Sequence, residues 1–87
     1  MANYTIEFTP AAARAFRKLS FETQNRLGKV LDRLSSNPLP NGVKKLSGEE
    51  NLFRVRVGDY RIVYQMKSKE LTVLIVRMGH RREVYDF

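Results

Sequence analysis

The stretch Phe53-Arg54-Val55-Arg56-Val57-Gly58-Asp59-Tyr60-Arg61-Ile62-Val63-Tyr64 reads as two strands hinged at Gly58-Asp59. Glycine first in a two-residue loop is what a type II′ hairpin turn requires, because that position needs a positive φ. A two-residue loop also sets the register. Val57 faces Tyr60, Arg56 faces Arg61, Val55 faces Ile62, Arg54 faces Val63 and Phe53 faces Tyr64. Side chains alternate along a strand. Phe53, Val55, Val57, Tyr60, Ile62 and Tyr64 therefore share an apolar face, and Arg54, Arg56 and Arg61 share the other. Two arginines directly across a ladder repel. An anion held between them offsets that repulsion, and guanidinium forks match phosphate oxygens. The plainer reading leaves all three solvated, or paired with Asp59, Glu49 or Glu50.

Working outward, period-2 patterning gives strands over Leu52–Val57, Tyr60–Met66 and Leu71–Met78, with a connecting turn at Lys67–Glu70. If that turn holds an even number of residues, Thr72, Leu74 and Val76 join the arginine face. Upstream, Gly48–Asn51 and Asn37-Pro38-Leu39-Pro40-Asn41-Gly42 read as turn and loop. Before them the period is 3.6. Ala12, Ala15, Phe16 and Leu19 mark one helix, started by Thr9 as N-cap and Pro10 at its first position. Leu27, Val30, Leu31 and Leu34 mark a second, with Ser20 as its cap. Gly28 costs that helix about 1 kcal/mol relative to Ala; the other reading is close packing on the first helix. Residues 4–8, YTIEF, alternate as a short strand.

Composition bounds the function. The 87 residues hold 16 Lys and Arg against 9 Asp and Glu, a formal charge of +7, which favours polyanion partners. The length suits one domain, residues 1–87. The chain is 43% hydrophobic, enough for a core. It has no cysteine, which removes thiolate chemistry and Cys-rich zinc sites. No apolar run spans a membrane and the N-terminus lacks the pattern of a signal peptide. A soluble cytoplasmic protein without metal or cofactor is expected.

The densest group of reactive side chains is Met78-Gly79-His80-Arg81-Arg82-Glu83-Val84-Tyr85. His80 is the lone histidine and titrates near neutrality; its plain reading is a surface or capping residue. Tyr85 can stack on a base or carry a proton. Gly79 can let the chain bend toward the hairpin, Val84 can anchor the segment, and Glu83 can pair with an arginine.

Lys44-Lys45-Leu46-Ser47-Gly48, GDYRIVY at 58–64 and GHRREVY at 79–85 together resemble the RelE toxins of the RelE/ParE superfamily. The likeness runs through the whole chain in element order. It implies an α+β fold, with two N-terminal helices packed on a curved, mainly antiparallel sheet of the RelE-like, microbial ribonuclease-like kind. It implies the toxin of a type II toxin–antitoxin system: a ribosome-dependent, metal-independent endoribonuclease that cuts mRNA in the A site by 2′-hydroxyl attack. It implies a RelB-like antitoxin as partner, in a toxin–antitoxin hetero-oligomer, alongside ribosome and mRNA.

By position, the resemblance assigns Arg54, Arg56, Arg61, Arg81 and Tyr85 to catalysis, with Arg81 or Arg82 matching the family's C-terminal arginine. Lys44, Lys45 and Arg82 become substrate-binding cations. Arg54 and Arg56 stand where better-known members have lysines. Arginine does not give up its proton in proteins, so these two act electrostatically, and the base is His80 or Tyr85. Two alternatives stand beside it: a ParE-like inhibitor of DNA gyrase, which shares the fold but is disfavoured by the GHRREVY ending, and a non-catalytic RNA- or ribosome-binding domain.

Overall fold

The computed structural model describes residues 3–46 and 51–82. Strand β1 (Thr5–Phe8) leads into helix α1 (Pro10–Arg17) and helix α2 (Phe21–Ser36). Four strands follow: β2 (Lys44–Lys45), β3 (Leu52–Val57), β4 (Tyr60–Lys67) and β5 (Thr72–His80). Together they form one five-stranded sheet of order β1-β5-β4-β3-β2. All pairings are antiparallel except β1 with β5, which is parallel. This is the expected α+β arrangement, with one strand beyond those expected: β2, two residues long, falls between the stretches read as loop and turn.

Both helices begin as their sequences dictate. The Thr9 hydroxyl accepts from the Ala12 N–H at 3.1 Å, and the Ser20 hydroxyl accepts from the Thr23 N–H at 3.2 Å. Each cap satisfies one amide that a helix start leaves without a partner. The Thr9 hydroxyl also donates to the Val76 carbonyl at 2.9 Å, which fastens α1 to β5. The two helix stripes then cover the apolar face of the hairpin. Ala12, Leu27, Leu31 and Leu34 are buried against Ile62, Tyr64, Val73, Ile75 and Met78. Each such large side chain contributes about 1.5–3 kcal/mol by leaving water. A Cβ at Gly28 would meet nothing within 4 Å, so that glycine does not serve contact between the helices.

The face away from the helices is not wholly polar. Leu46, Leu52 and Val63 are buried there, with Val76 packed on them. On the helix side, Tyr64 is fully buried and its hydroxyl donates to the Pro38 carbonyl at 2.5 Å, tying the proline loop to the centre of the sheet. Burial raises its pKa to about 12. No helix of the described residues is long and apolar enough to cross a membrane.

Candidate functional site

The β3–β4 hairpin has the register that a two-residue turn imposes: Val57 with Tyr60, Arg56 with Arg61, Val55 with Ile62, Arg54 with Val63, and Phe53 with Tyr64. Gly58 has φ +61°, while Asp59 is not among the residues of positive φ, as a type II′ turn requires. Arg54, Arg56 and Arg61 thus share the face opposite the helices. Their exposures differ. Arg56 is exposed, Arg61 is half-buried with its Nε out of solvent, and Arg54 is only 7% exposed. The outermost pair member, Arg56, is the one most open to a ligand.

Arg81 joins this group from beyond β5. Its backbone N–H donates to the Asp59 carbonyl at 2.7 Å, and its Nε lies 4.0 Å from the Asp59 carboxylate. That ion pair is exposed on both sides and contributes little to stability. Its geometric effect is larger: it draws the chain after β5 onto the hairpin turn. Arg56, Gly58, Tyr60, Arg61 and Arg81 line a cleft of about 70 Å³. Small-molecule pockets run to about 300–1,000 Å³. The cleft suits an oxyanion rather than a whole nucleotide.

Lys44 is in register with Arg54 and so belongs to the arginine face; Lys45 is in register with Phe53 and belongs to the other. Both are exposed. Arg82 is exposed at the turn after β5. Tyr85, Glu83 and Val84 lie outside the described residues, as do Glu49 and Glu50.

His80 is placed differently from the arginines. Thr72 and Leu74 share the arginine face, being in register with Lys67 and Gln65. Continued alternation would put Val76, Met78 and His80 there too. A bulge intervenes: Tyr64 pairs with Ile75 but Val63 pairs with Arg77, so Val76 is an extra residue. Parity flips beyond it. Met78 turns into the core and His80 faces Tyr60, with ring centroids 5.7 Å apart. His80 Nδ1 accepts from the Arg82 N–H at 3.2 Å. The histidine caps the turn, on the side of the sheet away from Arg56 and Arg61. Gly79, in β5, is opposite Arg61, and the chain bends two residues later, at Arg81-Arg82.

The same bulge brings in Arg77, which sequence reasoning passed over. It is exposed and in register with Val63, so the row across the sheet is Lys44, Arg54, Val63, Arg77. The signal was available. Unbroken alternation would have placed Arg77 beside Val73 and Ile75 in the core, and a charge there carries a large desolvation cost. A larger groove, about 610 Å³, runs between α1 and residues 76–79 and includes Arg14 and Lys18. Among the described residues, none of those singled out by sequence as catalytic line it.

The chain matches the family model described as ParE toxin of type II toxin–antitoxin system, parDE, over residues 6–85. It is 33% identical to Toxin RelG of Mycobacterium tuberculosis, over 94% of this chain and 95% of that protein. It is 28% identical to the mRNA interferase toxin RelE of Escherichia coli, over 95% of this chain and 90% of that one. A 53-residue stretch is 38% identical to Toxin RelE3 of Methanocaldococcus jannaschii and spans 58% of that protein's length. Among solved structures, a chain of the archaeal RelE–RelB complex from Pyrococcus horikoshii superposes with TM-score 0.81 at 27% identity. That match covers 97% of this chain and all of the other.

Proposed function

The chain belongs to the RelE/ParE family of toxins of type II toxin–antitoxin systems, and from that membership we propose that it is an endoribonuclease cutting mRNA in the ribosomal A site. The observation that carries the reading is the Arg56–Arg61 pair across the hairpin, joined by Arg81 around a cleft of oxyanion size. A clamp of guanidinium groups in such a cleft suits a phosphodiester whose charge grows during reaction.

In the proposed reaction the RNA 2′-oxygen attacks the adjacent phosphorus while its proton leaves. The bond from phosphorus to the 5′-oxygen breaks and that oxygen takes up a proton, in net balance the one the 2′-hydroxyl released, giving a 2′,3′-cyclic phosphate and a 5′-hydroxyl. Arg56 and Arg61 hold the non-bridging oxygens and stabilise their added charge. Arg81 stabilises the departing 5′-oxygen. Arg54, largely buried, supports the pair from one row inside, and Lys44 and Arg82 hold flanking backbone. None of the arginines accepts a proton. With His80 turned to the other face, Tyr85 is the chain's own candidate for handling the 2′-proton, and ribosomal groups complete the site. A RelB-like antitoxin is the proposed partner, since the neighbouring structures include RelE–RelB complexes.

A second reading has one observation in its favour: the matching family model is that of ParE toxins. On that reading the protein inhibits DNA gyrase and cuts nothing. Primer extension on messages from cells making the protein separates the two. Cleavage ends at A-site codons, absent with Arg61→Ala, support the nuclease. Intact messages together with DNA damage support the gyrase reading and overturn the nuclease.

A further inference from the structure

Gly58 walls the cleft and also touches a distant element. A Cβ at position 58 would stand 2.6 Å from Nη2 of Arg26, 3.5 Å from its Cζ and 3.6 Å from its Nη1. The guanidinium of this α2 residue therefore rests on the bare Cα of the hairpin tip. The turn alone explains a glycine there, through its φ of +61°. The approach of Arg26 is a separate matter: its flexible guanidinium end lies against the tip that the turn creates.

The contact is electrostatically costly for the free protein. It brings a fourth guanidinium to Gly58, whose cleft is also lined by Arg56, Arg61 and Arg81, and like charges gathered at one place repel. Among the described residues, no carboxylate pairs with Arg26, and the Asp59 carboxylate is directed at Arg81. Arg26 is exposed and belongs to the helix side of the sheet. Its long side chain carries the charge to Gly58, one of the residues that line the cleft.

We propose that Arg26 binds the RNA phosphate next to the scissile one, so that the substrate backbone crosses the hairpin tip from the cleft toward α2. This rests on the ribonuclease reading above. Arg26 is a substrate-binding residue here, not a catalytic one.

The test measures binding of a single-stranded 2′-O-methyl RNA oligonucleotide, which cannot be cut, to the full chain by fluorescence anisotropy across a salt series. Each phosphate contact on a single strand contributes about 0.7 to the slope of log K against log salt. Arg26→Ala is expected to lower the slope by about 0.7, weaken low-salt binding several-fold and leave the thermal melt at or slightly above that of the wild type. Arg26→Lys, which keeps the charge, is expected to retain the wild-type slope. Lys29→Ala, an exposed cation further along the same helix, is expected to leave the slope alone. An unchanged slope in Arg26→Ala, or an equal drop in Lys29→Ala, overturns the inference while the ribonuclease reading stands. Salt-insensitive or absent binding by the wild type overturns the inference, while the ribonuclease reading stands or falls on primer extension.

Discussion

Arg56 and Arg61 stand directly opposite each other across the β3–β4 ladder, one pair in from the turn closed by Val57 and Tyr60. Like charges at such a position weaken a hairpin by about 0.2–1 kcal/mol. Arg56 is the exposed member. Arg56→Gln is therefore expected to raise stability to denaturant by a few tenths of a kcal/mol while abolishing growth arrest at matched expression. A loss of both stability and toxicity would mean that Arg56 is structural.

Arg61→Ala and Tyr85→Phe are each expected to abolish growth arrest while the protein stays folded by circular dichroism. Arrest that persists in either variant, at equal protein level, removes that residue from the site.

His80 differs. Its ring meets Tyr60 on the helix side and its Nδ1 takes the Arg82 N–H. His80→Gln keeps an acceptor at that turn and is expected to retain message cleavage within about fivefold, a barrier change of roughly 1 kcal/mol. A hundredfold loss in His80→Gln would restore histidine as the base.

Tyr64 sets an alkaline limit on stability. Burial holds its pKa at about 12 against 10.0 for a free tyrosine. The unfolded chain therefore releases this proton first as pH rises. The contribution is complete below pH 10 and is lost between pH 10 and about 12, amounting to roughly 2–3 kcal/mol. Tyr64→Phe is expected to flatten that part of the curve. At neutral pH it costs about 1–2 kcal/mol, because the half-buried Pro38 carbonyl loses its donor. Denaturant melts of both proteins from pH 7 to 11 check the two statements.

The Thr9 hydroxyl serves two elements at once, accepting from Ala12 and donating to Val76. Thr9→Val keeps the shape and removes both bonds. The expected cost is about 1–2 kcal/mol, with faster amide exchange at the start of α1.

The hairpin was legible because a two-residue turn leaves one register, and a register assigns every side chain to a face. The caps at Thr9 and Ser20 and the helix stripes were legible for a similar local reason: a fixed offset in sequence is a fixed position on a helix. Two features escaped. Strand β2 is only Lys44-Lys45, too short to show a period, and it exists because Leu46 and Leu52 need cover on the second face. The bulge at Val76 escaped because alternation was carried through it. Its cause lies in the competition between Arg77 and Met78 for the core, which the methionine wins. That single extra residue separates His80 from the arginines it adjoins in sequence.

The parallel seam between β1 and β5 joins the two most distant strands of the sheet, with Thr9 bonded to Val76 across 67 residues. On a translating ribosome, the first strand to emerge is thus the last to find its neighbour. The nascent chain can form its helices early, since those contacts are local. It cannot close the sheet until residue 75 is free. Distant pairings of this kind slow folding. A sheet built this way closes only once its most C-terminal strand has been made.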